Sequence, residues 1–372
     1  MITIKKPTLL LDENKCKNNI QRLVEKATKY DLRLRPHFKT HQSLAIGEWF
    51  RSAGVAAITV SSLKMATYFA KNGWADITIA FPFYAQQIDE INQLASEIDL
   101  NVAIVNLESL KTLKEQLDYA IGVYIKIDVG THRTGLRPED GEAITQTIQE
   151  IFRNPMLIFK GFMAHAGHSY RARGEEEIKK VHQDSLAVLQ QVKTTYVDQF
   201  SLHDEPLEIS LGDTPGFSVA EHFPEVDEVR PGNLAFYDVM QTQIGACDFD
   251  QIAVAMACPV VAKHADRHEI VIHGGAVHFS KDYILDGEGN KNFGQVVNLR
   301  EDGWGEPIPG MQVVRLSQEH GIIKTSPETF DTFQVGDVLG VLPIHSCLTA
   351  DAMKSYTTFD GRVLDHLEGQ TL

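Results

Sequence analysis

The fold is decided by the stretch Leu32-Arg-Leu-Arg-Pro-His-Phe-Lys39-Thr-His41, which predicts a β-strand that ends in a cluster of polar, reactive side chains. No Gly-x-Gly-x-x-Gly motif follows this first strand, whereas a doubly wound dinucleotide-binding sheet carries one there. Barrels of parallel strands place their chemistry at the C-terminal ends of the strands. The stretch therefore favours a barrel, with Lys39 and the flanking His37 and His41 at its reactive end.

On either side of this stretch, β-rich runs alternate with helical patterns up to about residue 240, as expected for βα units around a parallel sheet. A doubly wound sheet gives a similar alternation, so the alternation alone does not exclude it. Helices are predicted where apolar residues recur every three or four positions, at Asn18–Tyr30, Ser62–Asn72, Ala85–Ser96, Ser109–Leu117 and Glu175–Lys193. Strands are predicted at Leu32–Lys39, Val55–Ser61, Asp76–Phe81, Val102–Val105, Ile121–Asp128, Phe159–Ala164, Leu207–Leu211 and Glu228–Ala235. Eight strands with intervening helices fit a (β/α)8 TIM barrel over residues 1–245.

The remaining residues, 246–372, predict a second, antiparallel β domain, with which the first few residues of the chain could pair. Its β-branched runs have no helices between them and are broken by Gly, Asp and Pro. Asp286–Asn290 and Arg300–Gly305 are predicted to be exposed turns or hairpin loops. The predicted strands are Ile252–Val261, Glu269–Ile272, Gly310–Leu316 and Val338–Leu342.

Charge and composition exclude several classes of partner. The 372 residues carry 35 basic and 50 acidic side chains, a net charge of −15. This charge repels phosphate backbones and acidic membrane surfaces, so neither nucleic acid nor a membrane is an expected partner. The start, Met1–Pro7, has no apolar run typical of a signal peptide, and no later stretch approaches the ~20 apolar residues of a membrane span. A cytoplasmic location is therefore expected.

Lys39 is the first candidate for chemistry. A lysine among apolar residues at a strand end can lose solvation and have its pKa lowered, and a neutral amine can form a Schiff base. Most lysines instead extend their charged head into solvent, and position alone favours that role. His37 and His41 shift the balance only slightly.

Four polar, glycine-containing loops follow later strands of the predicted barrel. An arginine in such a loop can hold an anion, and a tyrosine can hydrogen-bond a ring nitrogen. Small residues let backbone N–H groups approach a phosphate, which barrels often bind after their seventh and eighth strands. Each loop alone is equally compatible with an ordinary turn. The loops are Asp128–Gly135, His165–Tyr170, Ser210–Gly216 and Arg230–Asn233.

His345-Ser-Cys347 is the candidate metal site. Residues two apart on an extended segment point to the same side, and imidazole and thiolate both bind Zn2+. Two ligands leave positions open for water or substrate, unlike a closed structural site. A hydrogen-bonded histidine beside a buried thiol is the alternative, and the other three cysteines, which form no Cys-x-x-Cys pair, are expected to be buried and apolar. Gln318-Glu-His-Gly321 is a further polar cluster without an assigned role.

Seven motifs together resemble the D-serine dehydratase and D-threonine aldolase family, which are pyridoxal-phosphate enzymes of the alanine racemase fold type. The resemblance extends over nearly the whole chain and keeps the motifs in order. Three of them, Thr131–Gly135, His165–Tyr170 and His345–Cys347, look closest to the zinc-dependent, eukaryotic-type D-serine dehydratases. The seven motifs are Arg35–His41, Asp128–Gly135, His165–Tyr170, Gly212–Pro215, Arg230–Asn233, Ser317–Gly321 and His345–Cys347.

The resemblance implies roles for particular residues. It makes Lys39 the catalytic, Schiff-base lysine and places Tyr170 at the pyridine ring of pyridoxal 5′-phosphate. It places Zn2+, or another divalent metal, on His345 and Cys347. Arg133 and His165 match family positions close to the cofactor. It also implies a barrel plus a β domain and a homodimer, and it surrounds the cofactor's phosphate with Thr214, Gly232 and Asn233.

The resulting functional hypothesis is β-elimination of water from a D-β-hydroxy amino acid, with D-serine giving pyruvate and ammonia. Three alternatives stay open: retro-aldol cleavage of D-threonine to glycine and acetaldehyde, dehydration of D-threo-3-hydroxyaspartate, and racemisation. A non-catalytic pyridoxal-phosphate carrier is a rival from another class. The second domain argues against the carrier, because a carrier needs no metal at the substrate end.

Overall fold

The computed structural model describes residues 3–369, which form two compact units. The first, called the barrel unit here, comprises Arg22–Lys39 and Phe50–Gly232. The second, called the β unit, comprises the chain up to Gln21, the segment Thr40–Trp49 and the chain from Asn233 onward. Residues 1–2 and 370–372, the outer ends of the two predicted domains, lie outside the described residues. The boundary at residue 245 stays a prediction.

The described chain begins with strand β1 (Thr8–Leu11) and helix α1 (Glu13–Lys29). The next eight strands form one parallel sheet in the order β2-β9-β8-β7-β6-β5-β4-β3, and a parallel bridge between His37 and Thr59 joins its two ends. The strands are β2 (Arg33–Leu34), β3 (Ala57–Val60), β4 (Asp76–Pro82), β5 (Asp99–Ile104), β6 (Ile121–Lys126), β7 (Leu157–His165), β8 (Glu208–Gly212) and β9 (Glu228–Val229). The helices are α2 (Leu44–Ser52), α3 (Leu63–Ala70), α4 (Ile88–Ala95), α5 (Leu107–Gln116), α6 (Gly141–Phe152), α7 (Glu175–Phe200) and α8 (Thr214–Val219). The predicted (β/α)8 barrel is confirmed.

An ion-pair network occupies the N-terminal ends of the barrel strands. Glu228, at the start of β9, accepts from the Nε atoms of Arg33 at 2.7 Å and of Arg35 at 2.6 Å. Arg35 also pairs with Asp76, the first residue of β4. The side chains of Arg35 and Glu228 are 3% and 0% exposed, so removing either charge leaves the other buried with one ion-pair partner fewer. These charges therefore serve the barrel's stability, and the opposite ends of the strands remain for chemistry.

Two of the predicted strands are only two residues long in the structure. The prediction of Leu32–Lys39 is wrong beyond Leu34, and that of Glu228–Ala235 is wrong beyond Val229. Pro36 and Pro231 have no amide hydrogen to donate, so regular pairing stops before them. The chain continues into short 3-10 helices, Phe38–Thr40 and Asn233–Ala235.

The β unit is built on a nine-stranded sheet in the order β11-β16-β15-β14-β17-β10-β1-β18-β19, with a separate β12-β13 hairpin. Strand β1 lies inside the sheet, antiparallel to β10 and parallel to β18, with Leu9, Leu10 and Leu11 buried. The other pairings are antiparallel, so the predicted class of this domain is confirmed. The strands are β10 (Val254–His264), β11 (Glu269–His273), β12 (Ile284–Leu285), β13 (Lys291–Asn292), β14 (Gly294–Leu299), β15 (Trp304–Leu316), β16 (His320–Lys324), β17 (Val338–Pro343), β18 (Tyr356–Thr358) and β19 (Val363–Leu364).

Four short helices complete the β unit: α9 (Val239–Gln243), α10 (Ala276–Phe279), α11 (Pro327–Phe330) and α12 (Ser346–Met353). The predicted turn Asp286–Asn290 connects β12 to β13, and Arg300–Gly305 includes the turn between β14 and β15. Among residues 3–369, no helix has the length and apolar character needed to cross a membrane.

Candidate active site

Lys39 lies in the 3-10 helix that follows β2, not at the end of a regular strand. The ring of Phe38, next to it, is buried against Phe50, Phe69 and Trp74, with centroids 5.0–5.1 Å apart. Lys39 itself is exposed, which is the role that its position alone favoured, and it is not buried among apolar strand residues. The aromatic anchor holds the turn in place, while the amine stays accessible to a reactant.

The carboxyl ends of the barrel strands gather cationic side chains. Lys126 ends β6 and is buried; burial first, and then the charges of Arg230 and Arg133, lower its pKa to about 8. Arg230 is also buried and donates to neutral acceptors: the Ser210 hydroxyl and the carbonyl oxygens of Ala164 and Ser210. Buried cations served by neutral acceptors favour an anionic ligand.

Two histidines belong to the same cluster. Burial, followed by the charge of Lys39, holds the pKa values of His37 and His165 well below the ordinary value for histidine. The Nδ1 atom of His165 lies 2.8 Å from the carbonyl oxygen of Gly212, which fixes the ring. Both imidazoles are therefore neutral at pH 7, and they add no positive charge to the site.

Tyr170 lies in a 3-10 helix, Gly167–Arg171, directly after β7. Its ring centroid is 6.3 Å from that of His165, so these two predicted site residues are brought together. Thr214 is buried as the first residue of α8, which follows β8. Gly232 belongs to the barrel unit and Asn233 to the β unit.

The barrel unit fits pyridoxal phosphate by the chemistry of its donors. An accessible amine can meet an aldehyde, the hydroxyl of Tyr170 can meet a ring nitrogen, and the cations suit a phosphate. A Cβ atom at Gly212 would lie 3.3 Å from the Arg230 guanidinium, so a glycine here keeps this crowded strand end open.

The candidate metal ligands lie at the start of α12. The expectation of an extended segment is wrong, because His345 is the N-cap of α12 and Cys347 is the second residue of the helix. The tight turn still brings the two side chains within hydrogen-bonding distance of each other. The thiol also lies 3.4 Å from the Thr40 hydroxyl.

Asp282 orients the imidazole of His345. Its carboxylate accepts from Nδ1 at 2.8 Å, so Nε2 is the ring atom that a metal would bind. Burial alone would lower the pKa of His345, but hydrogen bonds with Asp282 and Cys347 outweigh burial and raise the pKa to about 11. Imidazole plus thiolate is a donor set for a borderline-soft ion such as Zn2+. Two protein donors leave coordination positions open.

A buried carboxylate ties this segment to Asn233. Asp238 accepts from the side-chain amide of Asn233 at 2.6 Å and from the backbone amide of Ser346 at 3.0 Å. The Ser346 hydroxyl donates to the Asn233 amide oxygen at 3.1 Å. The segment between the two candidate ligands is therefore hydrogen-bonded to a candidate phosphate residue.

Comparison with family models assigns the chain. The alanine racemase N-terminal domain model matches residues 11–239, and a serine dehydratase domain model matches residues 253–359. The chain belongs to the D-serine dehydratase and D-threonine aldolase family, with the alanine racemase fold. This family is pyridoxal-phosphate-dependent and consists of lyases, as the resemblance implied.

Named family members cover nearly the whole chain. D-serine dehydratase of Dictyostelium discoideum is 30% identical, over 94% of this chain and 92% of that protein. D-threo-3-hydroxyaspartate dehydratase of Delftia sp. is 27% identical, over 98% and 97%. A solved structure of D-threo-3-hydroxyaspartate dehydratase, a cysteine-to-alanine mutant in its metal-free form, superposes with a TM-score of 0.89 at 26% identity and covers 99% of both chains.

Sequence reasoning about the family motifs missed Asp282, Asp238 and Lys126. Asp282 is 63 positions from His345, and Asp238 is 108 positions from Ser346, so no local spacing could have linked them. Lys126 did carry a signal, since it lies near the end of the predicted fifth strand, two residues before the start of the Asp128–Gly135 loop.

Proposed function

We propose that this enzyme removes water from a D-β-hydroxy amino acid, with D-serine as substrate and pyruvate and ammonia as products. The observation that carries the proposal is the donor pair His345 and Cys347, with Asp282 orienting the imidazole at 2.8 Å. A metal at these donors suits loss of a hydroxyl, which is otherwise a poor leaving group. The Dictyostelium D-serine dehydratase supports the same substrate.

In this proposal Lys39 would hold the cofactor through its amine, and its Nζ would accept the proton that leaves the substrate's Cα. Pyridoxal phosphate, when bound, supplies an electron sink for the pair left at Cα. Tyr170 would hydrogen-bond the ring nitrogen, and Thr214, Gly232 and Asn233 would bind the phosphate. A tyrosine favours a protonated ring nitrogen less than a carboxylate does, so departure of the hydroxyl needs more help.

We propose that a metal ion gives that help. His345 and Cys347 would hold this ion, which we propose is Zn2+, and a bound zinc would supply a Lewis acid for the β-hydroxyl. Asp282 would keep the proton on Nδ1 of His345, so that Nε2 could serve as the metal ligand. Solved mutants of D-threo-3-hydroxyaspartate dehydratase change a histidine and a cysteine two positions apart, the spacing of His345 and Cys347, and the structure of the cysteine mutant is of its metal-free form.

A second candidate substrate is D-threo-3-hydroxyaspartate. Its distal carboxylate needs a cation that the phosphate does not use, and Lys126 and Arg133 are available on the barrel unit's carboxyl side. The Delftia enzyme of that name matches 98% of this chain. Replacing Lys126 with methionine separates the two substrates, because it should lower turnover of hydroxyaspartate more than turnover of D-serine.

The deciding experiment is a substrate panel. Zinc-depleted and zinc-reloaded holoenzyme is incubated with D-serine, D-threonine and D-threo-3-hydroxyaspartate, and 2-oxo acid, glycine and the L-enantiomer are quantified. The proposal expects 2-oxo acid from D-serine and a large loss on zinc removal. Glycine from D-threonine as the main product would establish the aldolase, and L-enantiomer would establish a racemase.

Matched variants assign the residues. Lys39→Ala should abolish turnover, while Lys160→Ala, at a lysine outside the predicted site, should not. Cys347→Ala should mimic zinc removal, while Cys247→Ala should not. Turnover by Lys39→Ala, or full activity with zinc loss verified, would overturn the mechanism.

Light scattering tests the proposed homodimer, and fractionation of the source cells tests the proposed cytoplasmic location.

A further inference from the structure

Three metal-binding side chains outside the proposed active site cluster in the β unit. His273 ends β11, His278 lies in α10, and Glu319 lies in the turn between β15 and β16. We call them the His–His–Glu cluster. One ligand atom from each lies within 4.8 Å of the other two, and the cluster is the one group of this kind within residues 3–369.

The spacing of the cluster suits a metal better than direct hydrogen bonds. A Glu319 carboxylate oxygen lies 3.5 Å from Nε2 of His273 and 3.9 Å from Nε2 of His278. Zinc–ligand bonds of about 2.0–2.2 Å place the ligand atoms of a tetrahedral site roughly 3.3–3.6 Å apart. The distance from Glu319 to His273 already fits this range, and the distance from Glu319 to His278 would have to shorten by a few tenths of an ångström.

The backbone under the cluster is firmly connected. The amide of Gly274 donates to the carbonyl oxygen of Glu319 at 3.0 Å, and that of Ala276 donates to the carbonyl oxygen of Ser317 at 2.8 Å. A Cβ atom at Gly275 would lie 2.3 Å from the Gln318 carbonyl oxygen, so only glycine permits this approach. The ligands therefore sit on two segments held together before any ion binds, which reduces the ordering cost of binding.

We propose that the His–His–Glu cluster binds a divalent cation of the zinc class, separately from His345 and Cys347. Two imidazoles and one carboxylate are a known ligand set for Zn2+, and imidazole disfavours Mg2+ and Ca2+, which prefer oxygen. His273 and Glu319 are 39% and 49% exposed at their side chains, so solvent can complete the coordination. The site does not depend on the proposed reaction.

His278 limits the affinity. Its Nδ1 accepts from the amide of Gly275 at 3.1 Å, which places the proton of the neutral ring on Nε2. Metal binding at Nε2 moves that proton to Nδ1 and breaks this hydrogen bond. Losing one such bond weakens binding by about tenfold, so the cluster should bind zinc more weakly than a closed structural site does.

The bound ion would cross-link two segments of the β unit. It would join the β11–α10 segment to the β15–β16 turn through side chains. Helix α10 accepts from α12, because the hydroxyl of Thr349 donates to the carbonyl oxygen of Phe279 at 3.2 Å. The bound ion would thus stabilise the position of α12, the helix that carries Cys347, and we expect it to raise the thermal stability of the protein.

The test is zinc stoichiometry of the holoenzyme by equilibrium dialysis and elemental analysis. Four variants are compared: His345→Ala with Cys347→Ala, His273→Ala with Glu319→Gln, the single Glu319→Gln, and His264→Ala as a control on the same sheet. Zinc binding that persists in the His345/Cys347 variant, but is lost on changing His273 and Glu319, supports the cluster. The zinc-dependent rise in melting temperature should follow the same pattern.

The outcomes separate the two sites. If one zinc equivalent is lost in the His345/Cys347 variant but is retained in Glu319→Gln, the cluster is overturned and the proposed active-site metal is left intact. If one zinc equivalent is lost in Glu319→Gln but is retained in the His345/Cys347 variant, the cluster is supported and the active-site metal is overturned. No zinc in any variant, or equal loss in the His264→Ala control, overturns the cluster as a specific site.

Discussion

Asp282 is the residue on which the orientation of the candidate metal ligand His345 depends. We predict that Asp282→Asn weakens zinc binding at His345 and Cys347 by about 10- to 100-fold, the usual cost of changing a residue that orients a ligand. The amide still accepts the Nδ1 proton, but it no longer makes the ring more basic. Competition with a chromophoric chelator measures the affinity. Asp302→Asn, in an exposed turn, is the control, and equal affinities in the two variants would contradict the role of Asp282.

His41 makes stability depend on pH. Burial lowers its pKa to about 3, with Asp365 opposing the shift and His366 adding to it, whereas an unfolded histidine titrates near 6.5. The unfolded state therefore binds more protons between these values, so stability is complete above about pH 6.5 and is lost as the pH falls toward 3. At pH 5 this one residue should lower the free energy of unfolding by about 2 kcal/mol relative to pH 7.

The measurement is the fall in melting temperature between pH 7 and pH 5. His41→Gln should show a smaller fall than the unsubstituted chain, while His320→Gln, at an exposed histidine, should show the same fall. His366, with a pKa lowered to about 4, leaves part of the dependence in both variants. Identical falls in all three proteins would assign the acid sensitivity to other groups.

At the scale of elements, Asp238 joins three short pieces of the β unit. It caps α9 by accepting from the amide of Gln241 at 3.0 Å, and it also accepts from Asn233 and Ser346. Asp238→Ala should destabilise the protein by about 3 kcal/mol, because several buried donors lose their acceptor. Ser326→Ala removes only the cap of α11 and should cost about 1 kcal/mol. Equal shifts in melting temperature for the two would show that the network adds nothing beyond a cap.

Element boundaries were predictable where a single local rule decides them. Glu175 was predicted as the start of a helix from three- and four-residue spacing, and α7 starts there. The spacing did not reveal that α7 continues to Phe200. Around Pro36 and Pro231 the apolar and β-branched residues favoured long strands, but the missing amide hydrogens decided the structure. The tight turn that begins α12 was likewise invisible in the spacing of His345 and Cys347.

At the scale of the molecule, the order of βα units was enough to predict the barrel, because each unit repeats the same local pattern. The sequence analysis allowed the first residues of the chain to pair with the β domain, and β1 does so, but the strands that it pairs with, β10 and β18, lie more than two hundred residues away and were not identified. No local pattern in Thr8–Leu11 names those partners. Only the apolar run Leu9-Leu-Leu11 shows that the strand must be buried.

The position of β1 leads to a prediction about folding. The fragment 246–372 lacks β1, so β10 and β18 would lose the strand that lies between them in the sheet. We predict that the fragment alone shows no cooperative thermal transition by circular dichroism. Joining residues 3–21 to it through a flexible linker should restore a transition, whereas the same peptide with Leu9, Leu10 and Leu11 replaced by serine should not, because these side chains are at most 1% exposed. Cooperative melting of the fragment without β1 would show that the sheet closes by itself.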